Sequence, residues 1–345
     1  MKQHIPFDIN PSLLAEKISN AGSILITSHH NPDGDAIGSS LALYHFLIKL
    51  GKKPKVILPN EFPENLAWLE GADRIMLFEK QAGKAAKAIE SADLIFCLDY
   101  NAFNRTKFFE KNLKESPAYK IMIDHHPQPS GEFDHLISRM EVSSTAELVY
   151  DVIEAMGHKN LINKTIAECL FAGIMTDTGS FSFSCNYPST FRIVAELIET
   201  GMDAEHVHQL IYDTFSEQRL RLLGYCLSEK LVVLKDYSTA YISLARHELD
   251  QYNFQPGDTE GIVNYALSIK NIIFAVLFTE KEDAVRISFR SKGDFSVNDF
   301  ARTHFTGGGH KNAAGADSYK SLDETITHFV ELLQNYKEEL RALSF

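Results

Sequence analysis

The feature that most constrains this chain is a polar turn between an apolar strand and an apolar helix. Residues 24–26 are a short apolar run that predicts a buried strand, and the apolar residues from 41 to 50 recur at helical spacing. Between them lies the segment His29-His30-Asn31-Pro32-Asp33-Gly34-Asp35. In an open α/β sheet, ligands bind beyond the carboxyl ends of such strands. The turn therefore predicts both an α/β fold and a functional site.

The side chains of this turn have the chemistry of metal ligands. Imidazole and carboxylate together suit a borderline divalent metal such as manganese, iron or zinc. Asp33 and Asp35 are separated by one residue in an irregular turn, so they can face different directions and could hold two neighbouring ions. The alternative is that they only shape the turn and cap the following helix. His29 and His30 are both candidate ligands, because the residues alone do not distinguish them.

Three later segments also place ligand-type side chains after apolar elements. Residues 92–98 predict a buried strand followed by Asp99, and residues 119–123 predict a strand followed by Asp124-His125-His126. An apolar helix over residues 163–175 leads to Asp177. Strands that alternate with helices predict a parallel sheet, in which strand ends of this kind lie along one edge. Each acid or histidine alone is more often a cap, a turn or a surface residue; their occurrence in this order predicts a joint site.

The C-terminal part predicts a second, smaller α/β domain. Three strands are expected within residues 239–289, and a helix begins at Val297. The run Gly307-Gly308-Gly309 follows, beside His310 and Lys311. Consecutive glycines beside His and Lys can form a phosphate cradle, because backbone amides reach the ligand unobstructed. The alternative is that the glycine run is only a flexible turn.

Composition excludes several classes of protein. The formal net charge of −12 argues against a dedicated binder of duplex or long single-stranded nucleic acid, which would carry a basic face. No apolar run is long enough to span a membrane, and the first ten residues lack the apolar core of a signal peptide. The four cysteines are scattered without a CxxC pair, which fits a reducing compartment. We therefore predict a cytoplasmic protein with no membrane partner.

These motifs together resemble one family. The ordered set His29-x-x-x-Asp33-x-Asp35, Asp99, Asp124-His125-His126, Asp177 and Gly307–His310 with Ala313-Ala314-Gly315 is similar to that of the DHH phosphoesterases of the nanoRNase/pAp-phosphatase type. The resemblance covers nearly the whole chain. It implies a Rossmann-like, parallel-sheet catalytic domain over residues 1–195, a helical linker over 196–232 and a smaller DHH-associated α/β domain over 233–345. It also implies an active site in the cleft between the domains.

The resemblance implies a role for each candidate residue. It assigns one metal to His29, Asp33 and Asp99, and a second to Asp35, Asp99, His125 and Asp177, with Asp99 bridging. Two divalent cations, expected to be Mn²⁺, would balance the four carboxylates. His126 would contact the phosphate or the leaving oxygen, with Asp124 orienting the histidine pair. Arg105 would lie near the phosphate, although a surface salt bridge is an equal alternative. Substrate would be held by Arg290, Ser291, Gly307, Gly308, Gly309 and His310, with Lys311 and Arg302 as weaker candidates.

The resemblance implies hydrolysis by metal-activated water. The expected substrates are short oligoribonucleotides, cut to 5′-mononucleotides, and 3′-phosphoadenosine 5′-phosphate (pAp), cut to AMP. Tyr100 follows Asp99 where many relatives carry a smaller residue, so it could alter how a base or ribose packs. A homodimer is compatible with this prediction, because the sequence does not set the oligomeric state.

Four alternative functions stay open at the level of the sequence. A cyclic or linear dinucleotide phosphodiesterase is the nearest alternative, followed by an exopolyphosphatase or pyrophosphatase. A RecJ-like exonuclease is disfavoured by the short, acidic chain. A nucleotide-binding sensor without turnover is disfavoured by the presence of all six expected metal ligands. Whether turnover requires a nucleobase would separate the enzymatic alternatives.

Overall fold

The computed structural model describes residues 9–255 and 257–343. Within them the chain forms two compact units that divide between Thr214 and Phe215. The first eight residues, which contribute to the signal-peptide argument, lie outside the described part. Among the described residues, no helix is both long and apolar enough to cross a bilayer. A separate linker over residues 196–232 stays a prediction.

The first unit is built on a six-stranded sheet, all of whose neighbouring strands are parallel. The strands are β1 (Ile24–Thr27), β2 (Lys55–Leu58), β3 (Met76–Leu77), β4 (Leu94–Leu98), β5 (Tyr119–Asp124) and β6 (His135–Ser138). The helices are α1 (Pro11–Asn20), α2 (Gly34–Lys49), α3 (Phe78–Glu90), α4 (Glu110–Glu115), α5 (Thr145–Ala155), α6 (Lys164–Asp177), α7 (Pro188–Glu199) and α8 (Ala204–Tyr212). The spatial order β3-β2-β1-β4-β5-β6 confirms the predicted Rossmann-like parallel sheet.

Helices cover both faces of this sheet, which explains why its central strands are uninterrupted apolar runs. Successive side chains of a strand point to opposite faces. In β1, Ile24 and Ile26 belong to the core cluster that includes α2, α5 and α6, while Leu25 belongs to the cluster that includes α3 and α4. In β4, Phe96 and Cys97 divide between the two clusters in the same way. Burial on both faces therefore favours apolar residues along these strands.

Glycines allow α2 and α6 to pack very closely. A Cβ atom at Gly38 would lie 2.5 Å from the carbonyl oxygen of Cys169 and 2.8 Å from the amide nitrogen of Gly173. A Cβ atom at Gly173 would in turn lie 2.9 Å from Oδ1 of Asp35. The close approach of the two helices thus fixes where the first turn of α2, which carries Asp35, stands against the rest of the unit.

The second unit contains a six-stranded mixed sheet. Its strands are β7 (Leu231–Leu234), β8 (Thr239–Leu244), β9 (Phe274–Glu280), β10 (Val285–Ser291), β11 (Thr306–Gly309) and β12 (Ala313–Ser318). Its helices are α9 (Glu217–Tyr225), α10 (Arg246–Gln251), α11 (Ile262–Leu267), α12 (Val297–His304) and α13 (Leu322–Ala342). The order is β11-β12-β10-β9-β8-β7, with only β8 and β9 parallel. The prediction of a second, smaller α/β unit is confirmed.

The glycine run of this unit forms a strand and not a loop. Gly307, Gly308 and Gly309 lie in β11, at the edge of the sheet, and pair with β12. A Cβ atom at Gly307 would lie 2.3 Å from the carbonyl oxygen of Gly315, and one at Gly309 would lie 2.5 Å from that of Ala313. The strand was missed because glycine has low strand propensity. Here glycine is required by the close approach of the neighbouring backbone.

Candidate metal centre

The predicted site residues of the first unit lie at the carboxyl edge of its sheet. β1 ends two residues before His29, β4 ends one residue before Asp99, and β5 ends at Asp124. β1 and β4 are neighbours in the sheet. β2, which follows β1 in sequence, lies on one side of this pair, and β5, which follows β4, lies on the other. This is the topological switch point, where a crevice forms in doubly wound folds. The fold therefore brings together segments that lie about seventy and a hundred residues apart along the chain.

One group of ligand-type side chains consists of His29, Asp33 and Asp99. Nε2 of His29 lies 3.2 Å from Oδ2 of Asp99 and 3.9 Å from Oδ1 of Asp33. Asp33 also caps α2, since its Oδ1 accepts hydrogen bonds from the amides of Asp35 and Ala36, each at 3.1 Å. The capping role and the cluster role of Asp33 are therefore compatible, because the exposed carboxylate retains a second oxygen.

A second group consists of Asp35, His125 and Asp177, beside the same Asp99. Nε2 of His125 lies 3.4 Å from Oδ2 of Asp177 and 3.9 Å from Oδ2 of Asp35. The same nitrogen lies 3.8 Å from Oδ1 of Asp99. Asp177 is the last residue of α6, so the end of that helix delivers its carboxylate to the strand edge.

Asp99 faces both groups with different oxygens. Its Oδ2 lies toward His29, and its Oδ1 lies toward His125. The residue is buried, and its backbone is left-handed with φ of 62°. Asp and Asn adopt this conformation more readily than most residues. Its amide donates to the carbonyl oxygen of Ile123 at 3.0 Å, which holds the turn after β4 against β5.

These donors fit divalent cations. Four carboxylates and two imidazoles, gathered in two groups that share Asp99, form an oxygen- and nitrogen-rich set suited to borderline divalent metals. The ligand atoms of His29, Asp33 and Asp99 lie within 4.8 Å of one another, as do those of Asp35, His125 and Asp177. The candidate ligands named from the sequence are thus brought together.

His126 and Asp124 form a separate contact at the same edge. Nδ1 of His126 lies 2.7 Å from Oδ1 of Asp124, which is fully buried, and 3.6 Å from Oδ1 of Asp99. Burial lowers the pKa of His126, but the charge of Asp124 and its hydrogen bond outweigh this and raise that pKa. The charge of the exposed Arg105 acts in the opposite direction on the same pKa.

The remaining predicted residues belong to the second unit. Arg290 and Ser291 end β10, and His310 begins the turn between β11 and β12, where its amide donates to the carbonyl oxygen of Ala313 at 2.7 Å. The hydroxyl of Ser291 donates to the carbonyl oxygen of Phe295 at 2.6 Å and accepts from Asn312 at 2.9 Å. Both contacts are internal, so the substrate role of Ser291 stays a prediction.

The two histidines of the first turn have different surroundings. His29 is buried in the first group, whereas the ring of His30 packs edge-on against Phe108 with 5.2 Å between centroids. The backbone amide of His30 donates to the carbonyl oxygen of Arg105 at 2.8 Å. The geometry thus selects His29 as the cluster residue.

Tyr100 does not contact the crevice. Its side chain is fully buried, and its hydroxyl lies 2.7 Å from the hydroxyl of Thr27. It packs in the core cluster that includes α3 and α4. The expectation that Tyr100 could alter the packing of a base or ribose is therefore wrong, because the position after Asp99 points into the interior.

Two residues of α5 were missed by sequence reasoning. Thr145 donates its hydroxyl to Oδ1 of Asp99 at 3.0 Å and its amide to Oδ2 of Asp35 at 2.6 Å. Glu147 is the second of these residues. Its carboxylate is fully buried and accepts from Ser143 and from residues at the start of α7. The only signal in the sequence was an unusually polar start to an apolar helix.

Comparison with known proteins shows the family of the chain. Residues 23–174 match the DHH family, N-terminal domain, and residues 236–339 match the DHHA1 domain. A crystal structure of an exopolyphosphatase-related protein from Bacteroides fragilis is 42% identical, with a TM-score of 0.93 over 96% of this chain and 97% of that one. The chain belongs to the DHH family.

Two DHH relatives with similar overall length have been named for their activities. The bifunctional oligoribonuclease and PAP phosphatase NrnA of Bacillus subtilis is 28% identical over 94% of this chain and 98% of its own length. The protein of the same name from Thermus thermophilus is 29% identical over 94% of this chain and 92% of its own length. DHH phosphoesterases depend on metal, and this chain carries the side-chain clusters for it. It is a metal-dependent phosphoesterase.

The electrostatics of the candidate metal ligands indicate which of them bind protons when no metal is present. Burial and the charges of Asp99 and Asp177 hold the pKa of Asp35 well above its usual range. Burial and neighbouring carboxylates raise the pKa of Asp177 to about 6, although His125 opposes the shift. Burial lowers the pKa of His29, but hydrogen bonds with Asp33 and Asp99 outweigh it and raise that pKa to about 10. Protons therefore partly neutralise the metal-free cluster near neutral pH.

We expect the affinity for Mn²⁺ to fall as pH is lowered from about 8 to about 5. Carboxylates with raised pKa and a protonated His29 must lose protons before they bind a cation, so protons compete with metal. Each displaced proton weakens apparent binding by about tenfold per pH unit below the relevant pKa. Thermal unfolding with and without Mn²⁺ at each pH, and calorimetry in two buffers of different ionisation enthalpy, measure this. An affinity that is constant across the range would contradict the prediction.

Proposed function

We propose that the chain hydrolyses short oligoribonucleotides to 5′-mononucleotides and pAp to AMP, using two divalent cations. The observation that carries this proposal is the position of Asp99, which presents one oxygen to each of two ligand groups. A shared carboxylate between two donor sets suits a pair of neighbouring cations. The substrate class is supported by the names of the two NrnA relatives, which match over most of the chain.

We propose that Mn²⁺ is the preferred cation. His29, Asp33 and Asp99 would hold one ion, and Asp35, Asp99, His125 and Asp177 would hold the other. The mixture of imidazole and carboxylate suits a borderline divalent metal such as manganese, iron or zinc better than Mg²⁺ or Ca²⁺, which take mainly oxygen ligands, and the family resemblance favours Mn²⁺ among these. When bound, such a pair polarises the phosphoryl oxygens and acidifies the attacking water.

His126 is proposed to act on the leaving oxygen. Asp124 accepts the Nδ1 proton of His126 at 2.7 Å, which orients the ring and stabilises its cationic form. The charge of Asp124 raises the pKa of His126 and so favours the protonated ring, which could donate a proton to the departing ribose oxygen. Asp124 is a positioning residue in this scheme, because its contact is with His126.

The remaining predicted residues are proposed to hold the phosphates and the rest of the substrate. Arg105 offers a planar guanidinium, which can bind phosphate through two parallel hydrogen bonds. In the second unit, Arg290, His310 and the glycines of β11 would bind a second phosphate or a terminal nucleotide. The first unit would thus perform the chemistry, while the second recognises the substrate.

The acidic chain is proposed to favour short substrates. With a formal net charge of −12, the protein gains little from counterion release on a long strand. A dinucleotide or pAp needs only local contacts around the cations. We also propose a cytoplasmic location, which the four unpaired cysteines support.

The proposal is tested by parallel hydrolysis assays with Mn²⁺. The substrates are a 5′-phosphorylated RNA dinucleotide, pAp, a long RNA, cyclic di-AMP and polyphosphate. Faster turnover of the dinucleotide and pAp than of the long RNA, by at least about tenfold in kcat/KM, is the expected result. Metal-free protein is the control. Equal turnover of long and short RNA would contradict the proposed substrate range.

Polyphosphate is the second candidate substrate. The crystal structure at 42% identity is described as an exopolyphosphatase-related protein, which supports including it. Polyphosphate has no nucleobase and no ribose leaving oxygen. Turnover of polyphosphate alone would preserve the cation pair and replace the proposed nucleotide substrates.

A further inference from the structure

The first turn of α5 contacts two of the carboxylates at the strand edge. The amides of Thr145 and Ala146 donate to Oδ2 and Oδ1 of Asp35 at 2.6 Å and 2.8 Å. The hydroxyl of Thr145 donates to Oδ1 of Asp99 at 3.0 Å. Thr145 therefore links Asp35 to Asp99, although it is not among the residues that the family pattern assigns to the site.

The hydroxyl of Thr145 contacts only one of the two oxygens of the Asp99 carboxylate. Oδ1 of Asp99, which accepts from Thr145, is the oxygen that faces His125 at 3.8 Å. Oδ2, which faces His29 at 3.2 Å, receives no contact from Thr145 among the described hydrogen bonds. Asp35, the other partner of Thr145, belongs to the group of His125. Both contacts of Thr145 are thus directed to the second ligand group.

Thr145 is itself held firmly. It is fully buried, and it stands between Ser144, which caps α5, and Glu147. The buried carboxylate of Glu147 accepts from the amide and hydroxyl of Ser143 at 3.1 Å and 2.7 Å. It also accepts from two hydroxyls at the start of α7, those of Ser189 and Thr190, each at 2.7 Å. This network fixes the helix start, so the Thr145 hydroxyl has a defined direction.

We propose that Thr145 is a positioning residue that sets the affinity of the second cation subsite, formed by Asp35, Asp99, His125 and Asp177, and leaves the first nearly unchanged. The inference rests on the two-cation centre proposed above, but not on the identity of the substrate. The hydroxyl of Thr145 donates to one lone pair of Oδ1 of Asp99. The other lone pair of that oxygen is then left for the cation of the second subsite. Without the donor, Oδ1 of Asp99 loses the contact that fixes its direction toward the second subsite, while Oδ2 keeps its 3.2 Å contact with His29.

The experiment compares Thr145→Val with Thr145→Ser. Valine keeps the shape and the backbone amide but removes the hydroxyl, while serine keeps the hydroxyl. Free Mn²⁺ is measured by electron paramagnetic resonance during titration of the metal-free protein. Loss of an outer contact of this kind lowers metal affinity by about 10- to 100-fold. We expect that loss in one of two binding phases of Thr145→Val, and two phases close to those of the wild type in Thr145→Ser.

Thr325→Val is the matched control. Thr325 is fully buried in the second unit, where its hydroxyl lies 2.8 Å from that of Ser318. The control loses a buried hydroxyl contact without touching a candidate ligand, so both Mn²⁺ phases should be unchanged even if the melting temperature falls. If Thr145→Val does not fold, Thr145→Ala removes the same donor without placing a methyl group against Asp99.

The outcomes separate this inference from the proposed function. If Thr145→Val weakens both Mn²⁺ binding phases equally, or weakens neither of them, the proposed role of Thr145 is overturned. Wild-type protein that binds fewer than two Mn²⁺ ions would instead overturn the two-cation centre. Turnover at saturating Mn²⁺ adds a further readout: kcat should approach the wild-type value in Thr145→Val, whereas the metal concentration for half-maximal rate rises.

Discussion

Replacement of Asp99 by asparagine should lower kcat/KM by at least about 10³-fold, the equivalent of several kcal/mol of transition-state stabilisation. Asp99 presents one oxygen to each ligand group, so its charge acts on both at once. The amide of asparagine is neutral and offers one oxygen instead of two. Asparagine tolerates the left-handed backbone at this position, where φ is 62°, so the fold should be retained. Steady-state kinetics with Mn²⁺ and far-UV circular dichroism measure the two effects.

Asp93→Asn is the matched control for this variant. Asp93 lies just before β4, at the opposite end of the strand from Asp99, and its Oδ2 accepts from the amides of Gly22 and Ser23 at 2.9 Å and 2.8 Å. The asparagine side-chain oxygen can still accept both bonds, so turnover should stay within about twofold of the wild type. Wild-type rates in Asp99→Asn would show that the cluster does not perform the chemistry.

The second large effect is on stability, at Gly38. A Cβ atom there would lie 2.5 Å from the carbonyl oxygen of Cys169 and 2.8 Å from the amide nitrogen of Gly173. Both are backbone atoms, which have no rotamer to change, so α2 and α6 must move apart. We expect Gly38→Ala to lower the free energy of unfolding by about 3 kcal/mol, in the upper range for an overpacked core. Urea denaturation, monitored by circular dichroism, measures the loss.

Gly83→Ala tests whether the effect is one of packing or of helix composition. Gly83 lies within α3, and a Cβ atom there would meet no atom within 4 Å. Alanine should therefore stabilise the protein by about 0.5–1 kcal/mol, because glycine has the higher entropy in the unfolded chain. If the Gly38→Ala variant is as stable as the wild type, α2 and α6 are free to move apart.

The sequence predicted the parts of the fold and site that depend on local pattern. β1, β4 and β5 were readable because parallel strands buried on both faces are continuous apolar runs. The ligand-type residues stand directly after those runs. Parallel strands end along one edge, so the convergence of His29, Asp99 and His125 followed from the topology, and the structure brings these residues together.

Other features depend on contacts that local pattern does not encode. The strand β11 was missed because its glycines are selected by the close approach of β12 and not by strand propensity. The burial of Tyr100 was not foreseen, because its hydroxyl contacts that of Thr27, which lies 73 positions away. The role of Thr145 depends on Asp35 and Asp99, which lie 110 and 46 positions away. Such contacts become visible only when the backbone is folded.

The parallel pairing of β1 with β4 has a consequence for the order of folding. Ile24 pairs with Leu94, so the edge that carries the candidate metal centre closes only after about seventy residues of chain have been brought into place. Contacts of such sequence separation form late, since the entropy of loop closure must be overcome first. A cation that needs His29 and Asp99 together then has no complete site early in folding. Its stabilisation should appear as slower unfolding and not as faster folding.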